Sequence, residues 1–106
     1  MDIRRKYIRR GIRTAARTCG DETFVIIITQ GNSRIKCYKM FTLGKDGTFL
    51  WGLLEENRQA IEVVSAIMKL NKICSVRLER KLVTYIEKLA KEHILDIVEK
   101  PLEEYY

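Results

Sequence analysis

One proline, six glycines, three cysteines and one histidine are spread over 106 residues, and each scarcity removes a class of protein. So little Pro and Gly excludes collagen-like and low-complexity chains, and 46% hydrophobic with 32% charged residues is the composition of a globular one. Cys19, Cys37 and Cys74 are odd in number and far apart, unlike zinc ligands or a secreted disulfide framework. They are expected to be reduced, mostly buried thiols, which places the chain in a reducing intracellular compartment such as the cytoplasm. The longest unbroken apolar run is Phe24 to Ile28, far short of the ~20 residues of a spanning helix, so the chain is expected to be soluble. The basic N-terminus has no serine and carries Asp2, unlike a mitochondrial transit peptide, and no apolar stretch follows it as in a secretory signal. Glutamine and asparagine are also scarce beside thirteen isoleucines, a usage shared with hyperthermophile proteins.

What the chain does have is positive charge at one end. Residues 1 to 20 hold seven cations (Arg4, Arg5, Lys6, Arg9, Arg10, Arg13, Arg17) against Asp2, while the rest balances thirteen Lys/Arg with thirteen Asp/Glu. The net charge of +6 therefore belongs to the N-terminal segment. Polyanions are the natural partners of such a segment, because each cation that replaces a condensed counterion adds salt-dependent affinity.

The length fits a single domain over residues 1–106. With a helical period, residues 3 to 18 place Ile8, Ile12, Ala15, Ala16 and Cys19 on one face and Lys6, Arg9, Arg10, Arg13 and Arg17 on another. This predicts a basic N-terminal helix or arm over 1–20, with Gly20 as its stop. Phe24 to Thr29 reads as a buried strand, and Gly31-Asn32-Ser33 as a hairpin turn. From Arg34 to Leu43 apolar and polar residues alternate, with Lys39 interrupting the apolar side at an expected bulge or edge. Asp46-Gly47 predicts a turn into a third strand, Thr48 to Leu54, with Trp51 and Phe49 in the core.

Beyond Glu55-Glu56-Asn57, Ala60, Ile61, Val64, Ile67 and Met68 recur at helical spacing up to Asn71. Ser75 caps a second helix striped by Leu78, Leu82, Ile86 and Leu89 and ended by His93. Ile94 to Val98 forms a short strand, and residues 101–106 a polar, aromatic-tipped tail. The expected class is α+β: a small antiparallel sheet of three strands, plus a short C-terminal strand, packed on the basic helix and the helix pair, with one sheet face open to water.

Two constellations carry the functional expectation. The first is the basic face Lys6, Arg9, Arg10, Arg13 and Arg17, which would hold phosphates. Its apolar face, rich in alanine and without Trp, Phe or Leu, suits packing on a sheet better than inserting into lipid, so no membrane contact is expected. The second is Arg34, Lys36 and Tyr38 at alternating strand positions, with Tyr7 from the arm, where cations flank a ring on which a base can stack. The helix pair could also read DNA through Arg77, Arg80, Lys81, Lys88 and Lys91, although Glu79, Glu87 and Glu92 share that helix.

Catalysis has little to stand on. His93 lacks a partner at useful spacing, and Glu79-Arg80-Lys81 matches the E-x-K of metal-dependent nucleases only on a predicted helix. No catalytic residue, metal or cofactor is expected. The reading is a small nucleic-acid-binding protein of low sequence specificity, acting on DNA or RNA. Its alternatives are an accessory subunit docking on an acidic protein in a replication, transcription or translation complex, and a toxin-type ribonuclease working through basic residues. A homodimer through the strand Arg34 to Leu43 or the second helix is a further possibility.

Overall fold

The N-terminal segment is not a helix. Tyr7–Arg10 is strand β1 and Thr14–Cys19 is strand β2. A helix over 3 to 18 would have crowded five cations onto one arc; extended backbone sends neighbouring side chains to opposite faces and relieves that repulsion. Long-range pairing decides the outcome. The computed structural model describes the backbone over residues 3–30 and 36–98 and the side chains over 3–28 and 39–98. The turn expected at Gly31-Asn32-Ser33, Arg34 and the tail at 101–106 lie outside the described residues.

β1 is the middle strand of a first sheet. It pairs antiparallel with β5, Arg58–Gln59, and with β6, Leu95–Val98, in the order β5-β1-β6. Tyr7 stands opposite Gln59 and Val98, and Ile8 opposite Arg58 and Ile97. Ile8 is fully buried, whereas Ile12, assigned to the helix's apolar face, is 71% exposed. Gly11 follows β1 where its N–H donates to the Ile94 carbonyl at 2.9 Å, and a Cβ there would collide with the His93 carbonyl. That close approach is why glycine stands in this corner.

The second sheet is a meander in the order β2-β3-β4, where β3 is Glu22–Gln30 and β4 is Lys36–Leu43. Gly20, expected to stop a helix, has φ of 62° and takes the first central position of the two-residue turn between β2 and β3. β3 and β4 pair without a break from Thr23↔Leu43 to Gln30↔Lys36, so the hairpin is as expected. Lys39 marks an edge strand and not a bulge. Val25, Ile27 and Leu43 face the core, and the opposite face is open to water.

The predicted third strand is instead helix α1, Lys45–Leu53, and β2 takes the vacant place in the meander. Asp46-Gly47 forms no hairpin: Asp46 lies in the helix's first turn, and Gly47 packs so closely that a Cβ would collide with the Tyr85 hydroxyl. The buried residues Gly47, Leu50, Trp51 and Leu54 recur at helical spacing. A short apolar run carries either period, and here the helical one wins. Trp51 is in the core as expected, and Phe49 packs partly buried against it.

Helices α2, Ala60–Leu70, and α3, Val76–Lys91, are where periodicity places them. A capping box between Gln59 and Glu62 starts α2, and the Ser75 hydroxyl accepts from the Leu78 N–H at 3.3 Å to start α3. Both helices end alike. Lys72 (φ 55°) and His93 (φ 65°) take the left-handed position after the cap. Ile73 N–H then reaches back to Met68 O at 3.1 Å, and Ile94 N–H to Leu89 O at 3.0 Å. Cys19 on the edge strand β2 and Cys74 in the α2–α3 turn are both exposed, which corrects the expectation of mostly buried thiols. Among the described residues, no helix is long and apolar enough to cross a membrane.

His93 is exposed and held in a conformation that glycine adopts without strain, so His93→Gly is expected to stabilise the protein by about 0.5 to 1 kcal/mol. Urea denaturation with an unchanged slope measures it, and a loss of stability would assign the imidazole a role of its own.

Candidate nucleic-acid interface

The eight residues expected to bind phosphate or bases do not form one surface. Arg9 and Arg10 are neighbours on β1 and leave it on opposite sides. The Arg9 guanidinium lies 3.7 Å from the Asp96 carboxylate, which also accepts the Ile12 N–H at 3.1 Å. Arg10 donates to the Trp51 carbonyl from Nε at 2.9 Å and from Nη2 at 2.6 Å, and its guanidinium stands 5.0 Å from the centre of the Trp51 ring. Arg58 Nε donates to the Leu53 carbonyl at 2.7 Å. The last turn of α1 has no basic residue of its own, so Arg10, from β1, and Arg58, five residues beyond Leu53, supply the charge that its carbonyl end attracts.

Lys6 is half-buried in the turn before β1, where its carbonyl accepts the Ala60 N–H. Arg13 and Arg17 are exposed, and Arg17 stands opposite Phe24 on the open face of the meander. Lys36 and Tyr38 take register positions opposite Gln30 and Ile28, while Arg34 lies outside the described residues. Tyr7 belongs to the other sheet and does not join them.

A basic track does exist, on α3. At about 100° per residue, Arg77, Arg80, Lys81, Lys88 and Lys91 fall within an arc of about 100°, shared only with Thr84. All six are exposed. Glu87 and Glu92 border the arc on either side, and half-buried Glu79 lies toward the packed face. The acids of this helix therefore do not interrupt the track. From Arg77 to Lys91 it runs about 21 Å. None of the five cations has an ion-pair partner among the described residues.

The rest of the helix explains this orientation. Leu82, Val83, Ile86 and Leu89 are buried against α2 and β6, which leaves the opposite side to solvent. The sequence signal was present: positions 77, 81, 84, 88 and 91 alternate steps of four and three, the signature of one helix face. Tyr85, at the arc's margin, has its phenol pushed above the ordinary value, first by burial and then by the Asp46 carboxylate, so it stays neutral and packs. Glu79-Arg80-Lys81 lies on this helix, and no group of three His, Cys, Asp or Glu among the described residues is placed to hold a metal.

Comparison with known proteins adds no assignment: no family model, no curated protein and no solved structure matches this chain significantly.

Because Arg10 is tied to α1, Arg10→Met is expected to lower stability by about 2 to 3 kcal/mol, the worth of charge-assisted hydrogen bonds plus a cation–π contact. Denaturant unfolding measures this, and stability within about 0.5 kcal/mol of the parent would show the contact to be incidental.

Proposed function

We propose that this protein binds nucleic acid through the phosphate backbone, with α3 as the principal contact. The observation that carries the reading is the arc of Arg77, Arg80, Lys81, Lys88 and Lys91, exposed and free of acids. Cations held on one rigid face repel one another in the free protein, and a polyanion relieves that repulsion while releasing counterions. Arg13 and Arg17, exposed at the β2 edge of the meander, can extend the surface, and Lys36 and Tyr38 take register positions on β4, the opposite edge of the same sheet. Flexible lysines dominate the C-terminal half of the track, which suits charge attraction more than base reading, so sequence specificity is low. DNA and RNA both offer the required backbone.

An acidic protein partner could use the same charges. Protein interfaces, however, centre on an apolar anchor inside a charged rim, and this arc contains no apolar residue. That absence favours nucleic acid over the adaptor reading. The protein acts by binding and not by catalysis.

Replacing Lys81, Lys88 and Lys91 together by alanine is expected to weaken binding to mixed-sequence duplex DNA by about 10- to 100-fold at low salt. It should also reduce the slope of log K against log salt by about 0.9 for each phosphate that is no longer neutralised. Fluorescence anisotropy over a salt series, with single-stranded DNA and RNA alongside, reads both quantities. Unchanged affinity and slope would overturn the proposal. Deleting residues 1–20 is no test, because it removes the central strand β1.

A further inference from the structure

Beside the basic track a cleft opens between α3 and β4. Phe41 and Leu43 line it from β4, Tyr85 and Leu89 from α3, and Lys88 and Glu92 complete it around a cavity of about 180 Å³. At about 100° per residue, the lining residues of α3 follow one another around the helix as Lys88, Glu92, Tyr85 and Leu89, from the exposed arc to the buried face. The outer lip of the cleft is therefore the track itself. We infer, on the backbone reading above, that the cleft receives one unstacked pyrimidine base of a single strand whose phosphates lie along α3.

Size, stacking chemistry and charge select this occupant. A cavity of about 150 Å³ lined by apolar side chains holds one benzene ring, whereas drug-sized ligands occupy about 300 Å³ or more. The cleft thus has room for one six-membered ring, and the second ring of a purine is left outside. Each wall contributes an aromatic ring, Phe41 from the strand and Tyr85 from the helix, and such rings stack on any base. The Glu92 carboxylate, without an ion-pair partner among the described residues, repels a phosphate from the cleft while Lys88 attracts one to its lip. β4 is the edge strand of the meander, so backbone groups on its free side have no strand partner and can meet the polar rim of a base.

The position of the cleft agrees with its contents. The apolar anchor of a protein partner stands inside a ring of charges, but this cleft runs along one side of the cations, where a strand held by its phosphates presents its bases. In a duplex the bases are stacked and paired, and reaching the cleft would require extruding one. A single strand meets no such cost.

Fluorescence anisotropy of the full chain at low salt compares four DNA ligands of equal length: a single strand of alternating T and C, its duplex, the complementary strand of alternating G and A, and a strand of abasic sites. Charge alone ranks the duplex first, because its phosphates are denser. The cleft ranks the pyrimidine strand first, about 10-fold tighter than the duplex, the purine strand and the abasic strand, as stacking of one base allows. Phe41→Leu is expected to cost the pyrimidine strand about 10-fold and to leave duplex affinity and its salt slope unchanged. Phe41 also packs against the core, so the melting temperature of the variant is compared with the parent's, and the abasic strand reads the contribution of the bases in the unaltered protein. Equal affinity for the pyrimidine and abasic strands overturns the base site and leaves the backbone reading standing. A purine strand bound as tightly as the pyrimidine one overturns the choice of base, and a loss caused by Phe24→Leu in place of Phe41→Leu moves the base to the open face of the meander and overturns the cleft. No binding to any of the four ligands removes the backbone reading and the base site together.

Discussion

The middle position of β1 is the constraint on which the rest of the structure depends. Four residues near the start of the chain hydrogen-bond on one side to β5 and on the other to β6, so the two ends are joined by one strand. Closing so long a loop costs conformational entropy, and the buried Ile8 with two strand partners offsets it. From that strand Arg10 crosses to the carbonyl end of α1, and the next residues make the corner, relaxed by Gly11, that launches the meander. Remove β1 and three connections fail together.

This arrangement divides the basic residues by role. Arg9, Arg10 and Arg58 are held by a carboxylate or by helix carbonyls, where a guanidinium offers several donors in a fixed plane. Of the exposed cations that remain among the described residues, five stand together on α3. Formal charge is densest in the first twenty residues, but available charge is densest on a helix near the other end. Counting charge along a chain locates neither its partners nor its exposure.

The legibility of each element follows from how local its cause is. α2 and α3 are readable because apolar residues recur every three or four positions and Ser75 supplies a cap, all within a turn or two. The β3–β4 hairpin and β6 are readable from alternation. The segment 3–18 carries apolar residues compatible with a helix and β-branched residues compatible with strands, and 48–54 is too short and too apolar to show a period. Both invite the wrong assignment for that reason. At the candidate site the cations of α3 are visible in the sequence, but the acids between them conceal that on the helix they stand outside the arc.

By itself the sequence determined an α+β class, two helices, one hairpin, and a net positive charge. These are consequences of neighbours within about ten residues, where periodicity and capping act. Only the tertiary structure decided that the basic N-terminus is a strand, that its arginines brace a helix end, and that α3 carries the open track. Those outcomes depend on groups far away in the chain, the Trp51 carbonyl and strand β6, and no local pattern encodes the free energy of meeting them.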